Sequence, residues 1–132
     1  MLSKNDIKHI KSLEHKKFRE EKGLFLAEGH KLVSELTGIF RCTLIAATTD
    51  WLKGHGSISA ERIETVSPDE LKRASLLKTP QDVLAIFRIP SDGTDLTTAA
   101  KDNLVLALDD VQDPGNLGTI VRIADWFGIK NV

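Results

Sequence analysis

"LDDVQDPGNLGTIVRIADWFG", Leu108 to Gly128, is the most sharply punctuated stretch of this 132-residue chain. An apolar run, Asn103 to Leu108, leads into it. Asp109 and Asp110 follow, then the loop "VQDPGNLG", then helical spacing from Leu117 to Phe127. The pattern is strand, turn and helix, and a strand apolar throughout is expected to be buried on both faces. In open α/β sheets ligands gather where loops leave the carboxyl ends of strands. Gly115 and Gly118 let other groups approach the backbone, and the free amides of a helix start favour anions. The turn lacks the Lys-Ser/Thr of a P-loop and the glycine spacing of a dinucleotide fingerprint, so as a bare pattern a structural turn explains it equally well. A unit opening at Asn103 has about 30 residues before the sequence stops, below the size of an independent core. The expectation is a fragment of a longer protein.

At about 100° per residue, Leu117, Ile120, Val121, Ala124 and Phe127 share one arc of the helix, which should face the sheet. Arg122 falls away from that arc, in company with Gly118 and Asp125. Thr119, Ile123 and Trp126 form another strip. An outward arginine is ordinarily just solvated, whereas a second apolar strip asks for a partner surface. That surface is either the remainder of the domain or another subunit.

Toward the N-terminus, helix and strand patterns alternate. Ser3 and Asp6 have the spacing of a capping box, and Ile7, Ile10 and Leu13 follow at helical intervals. They predict a helix over about residues 4–14, with a further turn or two through Phe18 and Glu21 and a stop at Gly23. "LFLAEG" (24–29) reads as a short buried strand, "HKLVSEL" (30–36) as a helix and "CTLIAAT" (42–48) as the next strand. Residues 63–66 make a third, Ser67 caps a helix beginning at Pro68, and "QDVLAIFRI" (81–89) is a fourth strand. This alternation predicts an α/β domain with a largely parallel or mixed sheet over residues 1–89. The polar, turn-rich "PSDGTDLTTAAKD" (90–102) reads as a linker, and residues 103–132 begin a second domain.

The chain is 41% hydrophobic and 28% charged with a net charge of -1, so a packed core is affordable and disorder is not the default. No apolar run approaches the ~20 residues of a membrane span, and "MLSKNDIKHIKSLEHKK" has no signal-peptide core. Cys42 is the single cysteine, which excludes an internal disulfide and a cysteine-rich zinc site. A cytoplasmic location is the simplest expectation. His9, His15, His30 and His55 have no metal-ligand spacing, so no metal is expected. Charge is unevenly spread: residues 1–23 carry Lys4, Lys8, Lys11, Lys16, Lys17, Arg19 and Lys22 against Asp6, Glu14, Glu20 and Glu21. A basic N-terminal helix can lie on phosphates; a solvated helix of mixed charge is the competing reading.

"DDVQDPGNLGTIVRIADWFG" (109–128) resembles the first signature motif of the SpoU/TrmH branch of the SPOUT superfamily, the RNA 2'-O-ribose methyltransferases. Asp113, Pro114, Gly115, Asn116, Gly118, Arg122, Ala124 and Gly128 stand in register with it. Upstream, "KKFREEKGLFLAEGHKLVSEL" (16–36) resembles the start of the accessory substrate-binding domain carried by many members, and "KTPQDVLAIF" (78–87) its last strand. The resemblance implies an α/β sandwich similar to kink-turn-binding ribosomal proteins over residues 1–89, followed by the opening strand and helix of a SPOUT α/β-knot domain.

For the intact protein the resemblance implies methyl transfer from S-adenosylmethionine to a ribose 2'-hydroxyl of ribosomal or transfer RNA, by a homodimer. Arg122 is then the catalytic arginine and Asn116 its companion. The later motifs that bind the cofactor are not found in these residues, so the fragment alone should be inactive. Structured RNA is the expected partner, held through Lys4, Lys8, Lys11, Lys16, Lys17 and Arg19; no membrane and no DNA are expected. Thr119, Ile123 and Trp126 are assigned to the dimer interface. Glu28, beside Gly29, is expected to have a structural hydrogen-bonding role and Cys42 to be a core thiol. Two other readings compete: a stand-alone RNA-binding adaptor of the kink-turn type, and a phosphate-ligand domain using the turn at Gly115 to Gly118.

Overall fold

The computed structural model describes residues 1–91 and 96–132, except for the side chains of residues 96, 97 and 102. The chain divides into two units, Met1–Pro90 and Ser91–Val132. In the first the elements run α1 (Lys4–Ser12), α2 (Lys16–Lys22), β1 (Leu24–Glu28), α3 (His30–Thr37), β2 (Cys42–Ala47), α4 (Thr49–Lys53), β3 (Ile63–Thr65), α5 (Pro68–Ala74) and β4 (Val83–Arg88). The strands form one sheet in the order β1-β4-β2-β3. β4 pairs antiparallel with both β1 and β2, and β3 lies parallel to β2. The sheet is mixed.

The side-chain alternation of β4 organises the layers. Val83 to Phe87 are all buried, as suits a strand with neighbours on both edges and helices on both faces. Leu84 and Ile86 join Ile10 of α1, Leu13 just after it, and Leu71 and Ala74 of α5 in one core. Val83, Ala85 and Phe87 join Val33 of α3 and Trp51 of α4 in the other. In β2, Leu44 and Ala46 go to the first core, Ile45 and Ala47 to the second. An irregularity in the ladder between Cys42 and Leu44 breaks the alternation there, so Cys42 lies with Ile45 and Phe87. Burial pushes its thiol pKa up to about 11, the state of a core thiol.

Local chemistry sets the boundaries. Ser3 and Asp6 form the expected capping box on α1, and Ser67 and Glu70 form a second one on α5. Gly23, at φ +61°, ends α2 in the left-handed conformation. α4 has no counterpart in the sequence reading: one turn capped by Thr48 is too short to display a helical period. The N-terminus is tied down from three sides. Glu70 Oε1 accepts from Leu2 N at 3.1 Å, the terminal ammonium lies 2.8 Å from Glu64 Oε2, and Arg62 reaches Asp6 through two nitrogens at 2.8 and 3.1 Å.

The second unit contains α6 (Leu96–Asp102) and α7 (Pro114–Trp126), so part of the stretch read as linker is helical; residues 92–95 lie outside the described residues. Two expectations for this unit are corrected. Residues 103–108 do not form a strand: one parallel bridge joins Val105 to Asn131, and Leu104 is 72% exposed. A strand is held by its ladder, and among the described residues this unit supplies a single paired position. The apolar arc of α7 does not cover a sheet either. Ala124 is buried, while Leu117, Val121 and Phe127 are exposed, because among the described residues no sheet forms in this unit for the helix to pack on.

Hydrogen bonds from the Arg62 guanidinium, and then from Ser3, hold the Asp6 carboxyl well below the usual carboxylate range. A carboxyl whose folded pKa is depressed contributes stability above its unfolded value near ~3.9 and loses it as pH falls through the folded value. Asp6→Asn is therefore expected to be less stable than the native chain at pH 7, with the gap closing as pH falls from about 5 toward 2. Urea unfolding followed by Trp fluorescence at several pH values measures this; a gap independent of pH would mean the charge on Asp6 contributes nothing.

Candidate functional site

The start of α7 is built by its own loop. Asp113 is the N-cap, its Oδ2 accepting from Asn116 N at 2.7 Å. Pro114 occupies the first turn, where its missing N–H costs nothing. A Cβ on residue 115 would come within 3.1 Å of Asp113 Oδ2, so glycine there leaves room for the capping carboxylate. Asp110 adopts φ +51° and accepts from Gln112 Nε2 at 2.9 Å; it is a turn residue, since Asp tolerates the left-handed region.

Gly118 faces open space, with nothing within 4 Å of where a Cβ would sit. One turn on, Arg122 borders an open depression with Pro114, Leu117, Gly118, Val121 and Asp125. Among the described residues, neither the Arg122 guanidinium nor the side-chain amide of Asn116 has a hydrogen-bond or ion-pair partner. The two are six residues apart, about 120° around the helix and ~9 Å along it. Asn116 lines up instead with Thr119 and Ile123. The assigned pair is thus brought onto one helix but onto different faces of it. Thr119, Ile123 and Trp126 are all exposed, Trp126 at 85%.

In the first unit, Lys4, Lys8 and Lys11 are exposed along α1, away from buried Ile10 and Leu13, and Lys16 and Lys17 are exposed on α2. Lys16 Nζ lies 3.5 Å from Glu20 Oε1, a solvent-exposed pair worth little. Arg19 differs: its NH1 donates to the carbonyls of Leu13 at 3.0 Å and Glu14 at 2.6 Å, closing the end of α1. Lys22, which the sequence reading did not single out for RNA, reaches back to His9 Nδ1 at 3.0 Å and Ser12 Oγ at 3.3 Å. Burial, then the charge of Lys22, lowers the His9 pKa. A contact 13 residues long in sequence between two helices leaves no periodic signal.

Glu28 has the structural role expected of it. Its carboxylate accepts from Ser75 Oγ and from Leu76 N at 2.8 Å, pinning the connection that leads into β4. His30 and His55 are not simple surface histidines. His55 stacks on Trp51 at 4.0 Å and 7°, with its Nδ1 2.7 Å from the Trp51 carbonyl, and Trp51 Nε1 donates to His30 Nδ1 at 3.2 Å. The three rings come from α3, α4 and the turn after it, so no local spacing announces them. Among the described residues no group of three His, Cys, Asp or Glu is placed to hold a metal ion.

Residues 4–85 match the family described as MRM3-like substrate binding domain. The chain is 36% identical over 135 residues to the 23S rRNA (guanosine(2553)-2'-O)-methyltransferase RlmP of Bacillus subtilis, covering 96% of this chain and 49% of that protein. The fold superposes with a TM-score of 0.77 on a protein described as an RNA methyltransferase of the TrmH family from Porphyromonas gingivalis, at 39% identity, covering 98% of this chain and 50% of that one. An AdoMet-bound rRNA methyltransferase from Sinorhizobium meliloti gives a TM-score of 0.68 at 28% identity, covering 96% and 50%. The chain spans half or less of the length of the curated relatives it matches.

Proposed function

The chain belongs to the family of MRM3-like substrate-binding domains, and on that premise we propose that it is the RNA-holding part, with the first catalytic helix, of an rRNA 2'-O-methyltransferase. The observation that carries this reading is the uncommitted Arg122 guanidinium over the open surface of Gly118, on a helix that follows a substrate-binding domain. S-adenosylmethionine would supply an electrophilic methyl group from elsewhere in the protein. A ribose 2'-hydroxyl is a weak nucleophile, so the protein must align it and stabilise the charge that grows on its oxygen. A guanidinium, with a pKa above ~12, is a poor base. Arg122 instead clamps the adjoining phosphate with its fork and offers a donor to the developing alkoxide. Asn116, turned to another side of α7, acts on the hydroxyl or on a group brought by a partner rather than on Arg122 of its own helix.

If that role is right, Arg122→Ala in the full-length protein loses roughly 10² to 10³ in turnover, as for removal of an oxyanion donor. Arg122→Lys recovers little, because a point charge does not replace the bidentate fork. Single-turnover methylation of substrate RNA, with calorimetric binding of S-adenosylmethionine alongside, measures both. Near-normal turnover in Arg122→Ala ends the assignment; lost cofactor affinity makes Arg122 a pocket residue instead.

RNA is held electrostatically by Lys4, Lys8, Lys11, Lys16 and Lys17, with Arg19 contributing mainly to the α1–α2 turn. Each lost phosphate contact lowers the slope of log affinity against log salt by up to ~0.9. The Lys16→Ala, Lys17→Ala double variant should therefore flatten that slope, whereas Arg19→Ala chiefly lowers stability by leaving the Leu13 and Glu14 carbonyls without their donor. Fluorescence anisotropy over a salt series tests this, and an unchanged slope in the lysine variant moves the RNA surface elsewhere.

Thr119, Ile123 and Trp126 form the homodimer contact of the intact protein, the exposed strip of α7 being what a second copy would cover. Trp126→Glu puts a charge against that apolar partner, so sedimentation of the full-length variant should show a weakened dimer. An equally tight dimer removes the strip from the interface.

A further inference from the structure

The C-terminal half of α3 and the loop from α4 to β3 border two adjoining depressions that nothing above uses. One, of about 390 Å³, is lined by Ser34, His55 and Ser57; the other, of about 360 Å³, by Phe40, Arg41 and Glu61; Thr37 and Ser59 wall both. No Asp, Glu, Lys or Arg lines the first. Ser34 contributes to its wall, but its Oγ is buried from solvent and has no hydrogen-bond partner among the described residues, so the hydroxyls open to this hollow are those of the loop. His55 has one ring face on Trp51, its Nδ1 on the Trp51 carbonyl, and the His30 ring set edge-on to it at 4.8 Å; its Nε2 has no hydrogen-bond partner among the described residues. The second depression is different. Arg41 engages Glu61 through Nε at 2.7 Å, leaving its two terminal nitrogens without partners among the described residues. Arg88 NH2 stands 3.6 Å from the same carboxylate. Two guanidinium groups share one carboxylate, so this end is positive.

A neutral, hydroxyl-lined hollow beside an imidazole, continuous with a positive end, has the polarity of a nucleotide. We propose that this cleft takes one unstacked nucleotide of the RNA, its base against His55 and the hydroxyls of Ser57 and Ser59, its phosphate on the free edge of Arg41. Stacking on a ring suits any base, and unpaired bases are what proteins read in RNA. The inference rests on the RNA-binding reading given above and deepens it. The cleft belongs to the α3–α4 side of the sheet, whereas Lys4, Lys8 and Lys11 ride on α1 on the other side. The two surfaces therefore engage different stretches of one RNA.

The test is an amide NMR titration of the 132-residue chain with adenosine and cytidine 5'-monophosphates, the matching nucleosides, and inorganic phosphate. In parallel, anisotropy measures binding of a structured rRNA fragment. The monophosphates should shift amides within 34–41 and 54–61 saturably. Nucleosides should bind there roughly tenfold more weakly, the worth of one charge-assisted contact, and phosphate alone should leave 54–59 unmoved. Arg41→Ala, an exposed position whose loss spares the fold, should reduce monophosphates to the nucleoside level and weaken the rRNA fragment. His55→Ala should remove both ligands. Monophosphates that leave these amides unmoved, or Arg41→Ala binding them as the native chain does, overturn the cleft while normal rRNA binding keeps the wider reading. Monophosphates seated in the cleft of a chain that binds no rRNA overturn the RNA assignment and that reading together.

Discussion

Everything in the first unit hangs on β4 being buried on both faces and paired on both edges. A strand with polar residues on one side could float one face in water; "VLAIF" cannot. Its side chains, alternating two ways, demand a helical layer above and another below. The layers answer with different chemistry. The α1–α5 layer is aliphatic, built on Ile10, Leu13 and Leu71, while the α3–α4 layer is aromatic, with Phe25 stacked on Phe87 and set edge-on to Phe40, and Trp51 in the same cluster. Because both layers are fixed by one strand, the basic surface of α1 and the polar cleft beside α3 are held rigidly relative to each other, although no side chain of one touches the other.

The first unit was legible in the sequence because its signals are local. Ser3 and Asp6, Ser67 and Glu70, and Gly23 act within a turn of where they stand, and alternating apolar runs announce β1, β2 and β4. What escaped was non-local or short: α4 with its single turn, the stack of His55 on Trp51, and the reach of Lys22 to His9. Arg19 is the instructive case. By composition it belongs with its lysine neighbours, yet its guanidinium can chelate two carbonyls where an ammonium would bridge them less well, and the helix ending at Ser12 offers such carbonyls.

The second unit was legible as motif and misleading as structure. The turn and helix start at 113–118 form where the glycines place them, although the capping by Asp113 and the room Gly115 leaves for its carboxylate were not read from the sequence. Strand 103–108 and the inward arc of α7 are properties of a complete sheet. Hydrophobic pattern states what a segment requires of its neighbours; it does not supply them. Leu104, Phe127 and Trp126 stand exposed for the same reason: their pattern is addressed to surfaces that this unit does not form.

Cys42 gives the chain a built-in clock. Its thiol is buried between β2 and the aromatic layer, and a neutral thiol is not the nucleophile. An alkylating reagent therefore meets the reactive thiolate mainly when the sheet loosens at that corner. As the single cysteine of the chain, it reports one event rather than a mixture. Where reclosing outruns alkylation, the labelling rate scales with the equilibrium population of the open state. The same side chain that fills a corner of the core thus converts the local opening of β2 into a chemical rate.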